Sequence, residues 1–102
     1  MKFTEITLPI TKEEEERLIN DLKEVLHEQD HDNTVLFENP SYINSIVGIN
    51  DDGQLVYSYE LMIEWLMKQD GMEDETEAME FIDYNPIRAI PYAGPLAPVV
   101  IQ

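Results

Sequence analysis

Residues 43–69, INSIVGINDDGQLVYSYELMIEWLMKQ, carry the reading that decides the fold. Ile43 to Ile49 and Gln54 to Tyr59 are strand-like, and Asn50-Asp51-Asp52-Gly53 between them has turn composition. Gly53 can supply the positive φ that such a connection requires, so the two runs predict a hairpin. Leu55, Tyr57 and Tyr59 alternate with Val56 and Ser58, which predicts a strand with one buried face. The pattern then changes period. Over residues 60–69, Leu61, Met62, Ile63, Trp65, Leu66 and Met67 leave only Glu60, Glu64, Lys68 and Gln69 for water. At about 100° per residue the polar positions fall on one narrow side, so this helix is expected to be central, covered on several faces or set at an oligomer interface. Gly71 closes it as a C-cap-type residue.

Working toward the N-terminus, Ile6, Leu8 and Ile10 alternate with Thr7 and Pro9, and Pro9 limits this segment to an edge strand or an extended lead-in. Thr11 with Glu14 three residues later reads as a capping box, and Glu13 to Glu16 lie in the first helical turn, where the dipole favours negative charge. Leu18, Ile19, Leu22, Val25 and Leu26 form one buried stripe, and the helix is expected to stop near Gln29. Residues 30–33 read as a loop, 34–37 as a strand and 39–41 as a turn. Toward the C-terminus, Asp74 and Glu77 start a shorter helix through Ala78, Met79, Phe81 and Ile82. From Pro86 onward, Pro91, Pro95 and Pro98 exclude helix and leave one or two extended pieces. The whole reads as one α+β domain over residues 1–102, a short antiparallel sheet with about three helices packed on it.

The chain holds 22 acidic residues against 6 Lys or Arg, a formal net charge of −16 over 102 residues, and 43% of it is apolar. That apolar fraction is ordinary for a globular protein, so the charge sits on a folded body. Such a body is poorly suited to gripping DNA, RNA or anionic lipid directly. With no cysteine there is no disulfide framework, thiolate metal site or cysteine nucleophile. Met1-Lys2-Phe3-Thr4-Glu5 lacks the unbroken apolar run of a signal peptide and no window suits a membrane span, so a soluble, cytoplasmic protein is expected.

His27-Glu28-Gln29-Asp30-His31 matches the zinc-peptidase pattern His-Glu-x-x-His. Both histidines would lie roughly 140–180° from the stripe centred on Leu22, on the solvent face, where a catalytic zinc has no walls. Asp30 occupies an inner position that such enzymes usually fill with apolar side chains, and the helix is expected to fray there. The reading preferred is two surface histidines near a helix C-terminus. Asp30, Asp32, Thr34 and Glu38 lack the glycine and final glutamate of a calcium loop. Ser41, Ser45 and Ser58 stand in no nucleophile-elbow context. No catalytic residue, metal site or cofactor is therefore expected, and the protein is read as a non-enzyme. Arg88, the only cation after Lys68, is expected to pair with a carboxylate of the preceding helix. Tyr57, Tyr59, Trp65, Tyr84 and Tyr92 read as core aromatics with wet hydroxyls.

Two acidic strips remain. Glu13, Glu14, Glu15, Glu16, Asp21 and Glu24, with Glu28, are expected on the outer side of the first helix. Glu73, Asp74, Glu75, Glu77 and Glu80, running on to Asp83, form the second. A net charge of −16 exceeds the roughly 2–8 that solubility asks of a small domain, and it creates a field that steers basic partners. Two such strips can imitate the phosphate lines of a duplex, which makes a basic nucleic-acid groove the natural target.

The second half resembles a group of small acidic uncharacterised proteins encoded by phages and integrated elements of Gram-positive bacteria. The resemblance covers about residues 47–101. It is carried by Val47-Gly48-Ile49, Asp51-Asp52-Gly53-Gln54-Leu55-Val56-Tyr57, Met62-Ile63-Glu64-Trp65-Leu66-Met67 and Gly71-Met72, then Phe81-Ile82-Asp83-Tyr84-Asn85 and Ile87-Arg88-Ala89-Ile90-Pro91-Tyr92-Ala93-Gly94. Pro86 stands where that group commonly has threonine, and one extra residue lies between Met72 and Ala78. The resemblance implies a phage context, where small acidic proteins disable host defence nucleases, CRISPR effectors included. The expected function is thus a phage-type inhibitor, anti-CRISPR or anti-restriction, that acts as a DNA mimic on a CRISPR effector or restriction nuclease. The alternative, from another class, is a structural or regulatory module that forms a homodimer or larger oligomer through the Leu61–Met67 helix.

Overall fold

The computed structural model describes residues 3–102; Met1 and Lys2, which open the segment tested for a signal peptide, lie outside the described residues. The hairpin forms where the alternation places it. Strand β1 (Ile46–Ile49) pairs antiparallel with β2 (Leu55–Ser58), with Ile46 opposite Tyr57 and Ile49 opposite Leu55, and a bulge at Val47. Asn50 organises the turn: its Oδ1 accepts from the backbone N–H of Asp52 at 3.1 Å and of Gln54 at 2.9 Å. Gly53 sits at φ +85°, and its carbonyl accepts from the buried Thr34 hydroxyl at 2.7 Å. A Cβ on Gly53 would come within 3.2 Å of His31 Nδ1, whereas one on Gly71 (φ +78°) would meet nothing within 4 Å. Left-handed backbone costs an L-residue about 1–2 kcal/mol. Gly53→Ala should therefore lower the thermal midpoint more than Gly71→Ala, because only the first adds a steric contact to the backbone strain.

Helix α1 (Lys12–Glu28) begins and ends as the sequence predicts, with the Thr11 hydroxyl accepting from the Glu14 N–H at 3.1 Å and Gln29 as C-cap. Helix α2 (Tyr59–Glu64) follows β2 without a linker, because Ser58 is its N-cap and accepts from the Leu61 N–H at 3.3 Å. A π-turn over Trp65–Gln69 extends it, and the Met72 N–H closes back onto the Leu66 carbonyl beyond Gly71's neighbour Asp70. Met62, Trp65 and Leu66 are buried in the chain's own core with Leu22, Leu26, Ile43, Leu55, Tyr57 and Ile82. The helix is central, and Leu61, Ile63 and Met67, each partly buried, are its apolar residues nearest the surface.

Helix α3 (Glu75–Ile82) starts at Asp74, whose carboxylate accepts from the Thr76 N–H at 2.9 Å. The exclusion of helix after Pro86 is overturned. A π-turn spans Asp83–Ile87 around Pro86, and helical backbone continues to a 3₁₀ turn at Ile90–Tyr92. Proline has no N–H for the carbonyl four residues back; an i→i+5 turn offers the carbonyl of Ile82 to the amide of Ile87 instead.

The third strand, β3 (Val99–Ile101), lies on the far side of β2 and runs parallel to it, with Tyr57 opposite Val100. The α+β class stands, but the sheet is mixed rather than wholly antiparallel. The chain leaves β2 through α2 and α3 and returns by a crossover, the connection that parallel pairing requires.

Residues 3–10 resolve to a lead-in rather than an edge strand, and residues 34–37, expected as a strand, are irregular. Residues 3–10 form a 3₁₀ turn at Phe3–Glu5 and then an extended lead-in, with Phe3 and Leu8 buried. The Gln69 side-chain amide takes the place of a neighbouring strand, accepting from the Ile10 N–H and donating to the Ile10 carbonyl at 2.8 Å each. Within residues 34–37 the Thr34 amide turns back to the His31 carbonyl, and Val35 and Phe37 spend theirs on single tertiary bonds, to the Leu96 carbonyl and the Tyr57 hydroxyl. Ile43–Ser45 is a 3₁₀ turn, set by Tyr42 at φ +50° immediately before it.

Candidate protein-binding surfaces

On α1 the outer strip is less uniform than its glutamates suggest. Glu13, Glu14, Glu16 and Glu24 are exposed, but Glu15 and Asp21 are half-buried. Glu15 is engaged inward, with the Ser41 hydroxyl donating to its Oε2 at 2.5 Å. Desolvation, and then the negative charge of Glu15, raise the Asp70 carboxyl above its ordinary range. Three of the five cationic residues among those described, Lys12, Arg17 and Lys23, also stand exposed on α1. They dilute the field of this face.

The second strip is undiluted. Glu73, Asp74, Glu75, Glu77, Glu80 and Asp83 are all exposed, and no cation occurs between Lys68 and Arg88. Two members have local duties: Asp74 caps α3, and Asp83 accepts from the Tyr59 hydroxyl at 3.1 Å. Beside the strip runs an open groove of about 610 Å³ between α2 and the start of α3. Ile63, Met67 and Met72 give it apolar walls, Glu60, Glu64, Glu73 and Glu75 ring it with carboxylates, and Lys68 is the one cation in its lining. Glu64 holds Lys68 at 3.0 Å across one helical turn. Methionine is suited to such a place because its flexible thioether adapts to varied apolar shapes. The arrangement can receive a segment that presents basic groups around an apolar anchor.

His27 and His31 are not brought together as a helical pair. Helix α1 ends at Glu28 and Asp30 turns left-handed at φ +61°, so His31 leaves the helical line and sits half-buried beside Gly53. His27 is exposed, and its Nδ1 lies 2.6 Å from Asp32 Oδ1. The hydrogen bond that His27 donates to the Asp32 carboxylate, and then the charge of Asp32, raise the His27 pKa above the ordinary 6.5. A raised folded-state pKa means that any stabilisation is complete below the unfolded value and is lost as pH rises through the folded one. NMR titration should place His27 above 6.5, and Asp32→Asn should return it toward that value.

Arg88 does not make the expected pair. Among the described residues it forms no ion pair, and it lines an open groove of about 450 Å³ with Phe37, Glu38, Pro40, Tyr84 and Tyr92. Tyr84 and Tyr92, expected in the core, are 69% and 89% exposed. Tyr57, Tyr59 and Trp65 are buried as expected. One signal in the sequence marks this surface: all 22 acidic residues lie in residues 1–83, and residues 84–102 contain none. No helix among the described residues is long and apolar enough to cross a membrane. Compared with family models, with curated proteins and with solved structures, the chain finds no match.

Proposed function

We propose that this protein is a non-enzymatic inhibitor that occupies the basic nucleic-acid groove of a host defence nuclease, a CRISPR effector or restriction enzyme, in place of DNA in the bacterial cytoplasm. The observation that carries the reading is the uninterrupted Glu73–Asp83 strip beside the methionine-lined groove. Carboxylates at this density steer a basic partner into contact, and the apolar groove offers what phosphate lines lack, a desolvated anchor that slows release. The net charge of −16 and the resemblance of residues 47–101 to phage-encoded acidic proteins support the same reading. The α2–α3 face is the proposed contact in preference to α1, whose three cations would meet the basic target with like charge.

The test is capture of CRISPR effectors and restriction nucleases on the immobilised protein, with duplex DNA as competitor and a salt titration. Displacement by DNA and weakening with salt are expected. Capture indifferent to both would remove the mimicry mechanism.

A further inference from the structure

The groove that holds Arg88 differs in kind from the acidic strips, and the difference points to a second copy of this chain. Two bodies of charge −16 repel one another over most of their surface. They can approach at least cost where carboxylates are absent, and residues 84–102 supply such a region, nearly a fifth of the chain without one Asp or Glu. A stable interface needs about 800 Å² per partner, roughly an eighth of the 6515 Å² surface.

The local chemistry is self-complementary. A two-fold interface places residue i against residue j of the other copy and j against i, so one face must hold both halves of each contact. This face does. Tyr92 projects at 89% exposure beside an open groove with Phe37 and Pro40 in its wall, so each copy offers a protruding ring and a recess. The same groove carries one cation, Arg88, and one anion, Glu38, and neither forms an ion pair among the described residues. Two-fold symmetry can satisfy both, twice. We infer that the protein dimerises through this groove, with Tyr92 of each copy entering the other's recess and Arg88 of each pairing with Glu38 of its mate. No residue of the Glu73–Asp83 strip lines this groove, and the dimer does not depend on the identity of any target.

The experiment is sedimentation equilibrium of the full chain over a concentration series. The wild-type protein should sediment at twice 11.9 kDa. Arg88→Glu and Glu38→Arg should each weaken the dimer about tenfold or more, and the combined exchange should restore it to within about threefold of wild type. Tyr92→Ala should also weaken the dimer while leaving the far-UV circular dichroism and the monomer's thermal midpoint unchanged, since its ring is almost wholly exposed. A wild-type protein that stays monomeric at the highest concentration overturns the proposal. So does a dimer that neither charge reversal weakens, because its interface lies elsewhere. Failure of the combined exchange to restore association overturns the crossed pairing.

Discussion

Trp65→Ala should lower the free energy of unfolding by about 3–5 kcal/mol, the range for truncating a buried aromatic. Against roughly 5–15 kcal/mol for a domain of this size, that is a large share of the total. At about 4–8 °C per kcal/mol the thermal midpoint should fall by about 12 °C or more. Trp65 is 2% exposed and stands in the π-turn between α2 and Gly71, with its ring 6.5 Å from that of Tyr42. Its removal would leave a void bordered by the most buried helix and by the Tyr42–Phe37–Tyr57 cluster, whose successive rings lie 5.9 and 4.6 Å apart. Trp65→Phe gives the contrast. The indole Nε1–H is buried and has no hydrogen-bond partner among the described residues, so replacing it forfeits area but no hydrogen bond to them. The phenylalanine variant should therefore retain most of the stability that alanine loses. Denaturant midpoints at unchanged m-value measure both; equal losses would mean that the ring's volume is not what supports the turn.

Elements set by local chemistry were readable from the residues themselves. The hairpin follows from alternation and Gly53, α1 from the Thr11 cap and the Leu22–Leu26 stripe, and the end of the second helical run from Gly71. Elements set by distant partners were not readable. Nothing near Ile10 foretells that the amide of Gln69, 59 residues away, will pair with its backbone. Pro86 argues locally against helix, and the π-turn that accommodates it holds within a helical run that packs α3 against α2. The surfaces divide in the same way. Composition reveals two acidic strips, but the inward turn of Glu15 depends on Ser41, 26 residues later. The freedom of Arg88 is likewise a tertiary fact: carboxylates precede it closely in sequence, yet none lies within ion-pair distance.

Neutralising Glu73, Glu77 and Glu80 together to glutamine should weaken target binding by about a hundredfold or more, the equivalent of roughly 1 kcal/mol or more per charge. The three side chains are exposed, and among the described residues none of them makes a hydrogen bond or ion pair, so with their charge the fold loses only the favourable dipole interaction of Glu77 in the first turn of α3. Relief of repulsion along an uninterrupted strip should instead leave the thermal midpoint level or slightly raised. Asp74 is left intact because it caps α3, and its loss would confuse binding with folding. The matching change on α1, Glu13, Glu16 and Glu24 to glutamine, removes the same three charges. It should have a much smaller effect, because Lys12, Arg17 and Lys23 already offset that face. Equal losses from the two triple variants would show that overall charge, rather than the α3 strip, governs recognition. The groove answers to a different measurement. Met67→Ala with Met72→Ala leaves the field unchanged and removes apolar contact, so association should keep its rate while dissociation accelerates. The charge variants should act the other way, slowing association and flattening its dependence on salt. A protein that merely carried its acidic residues for solubility would show neither separation.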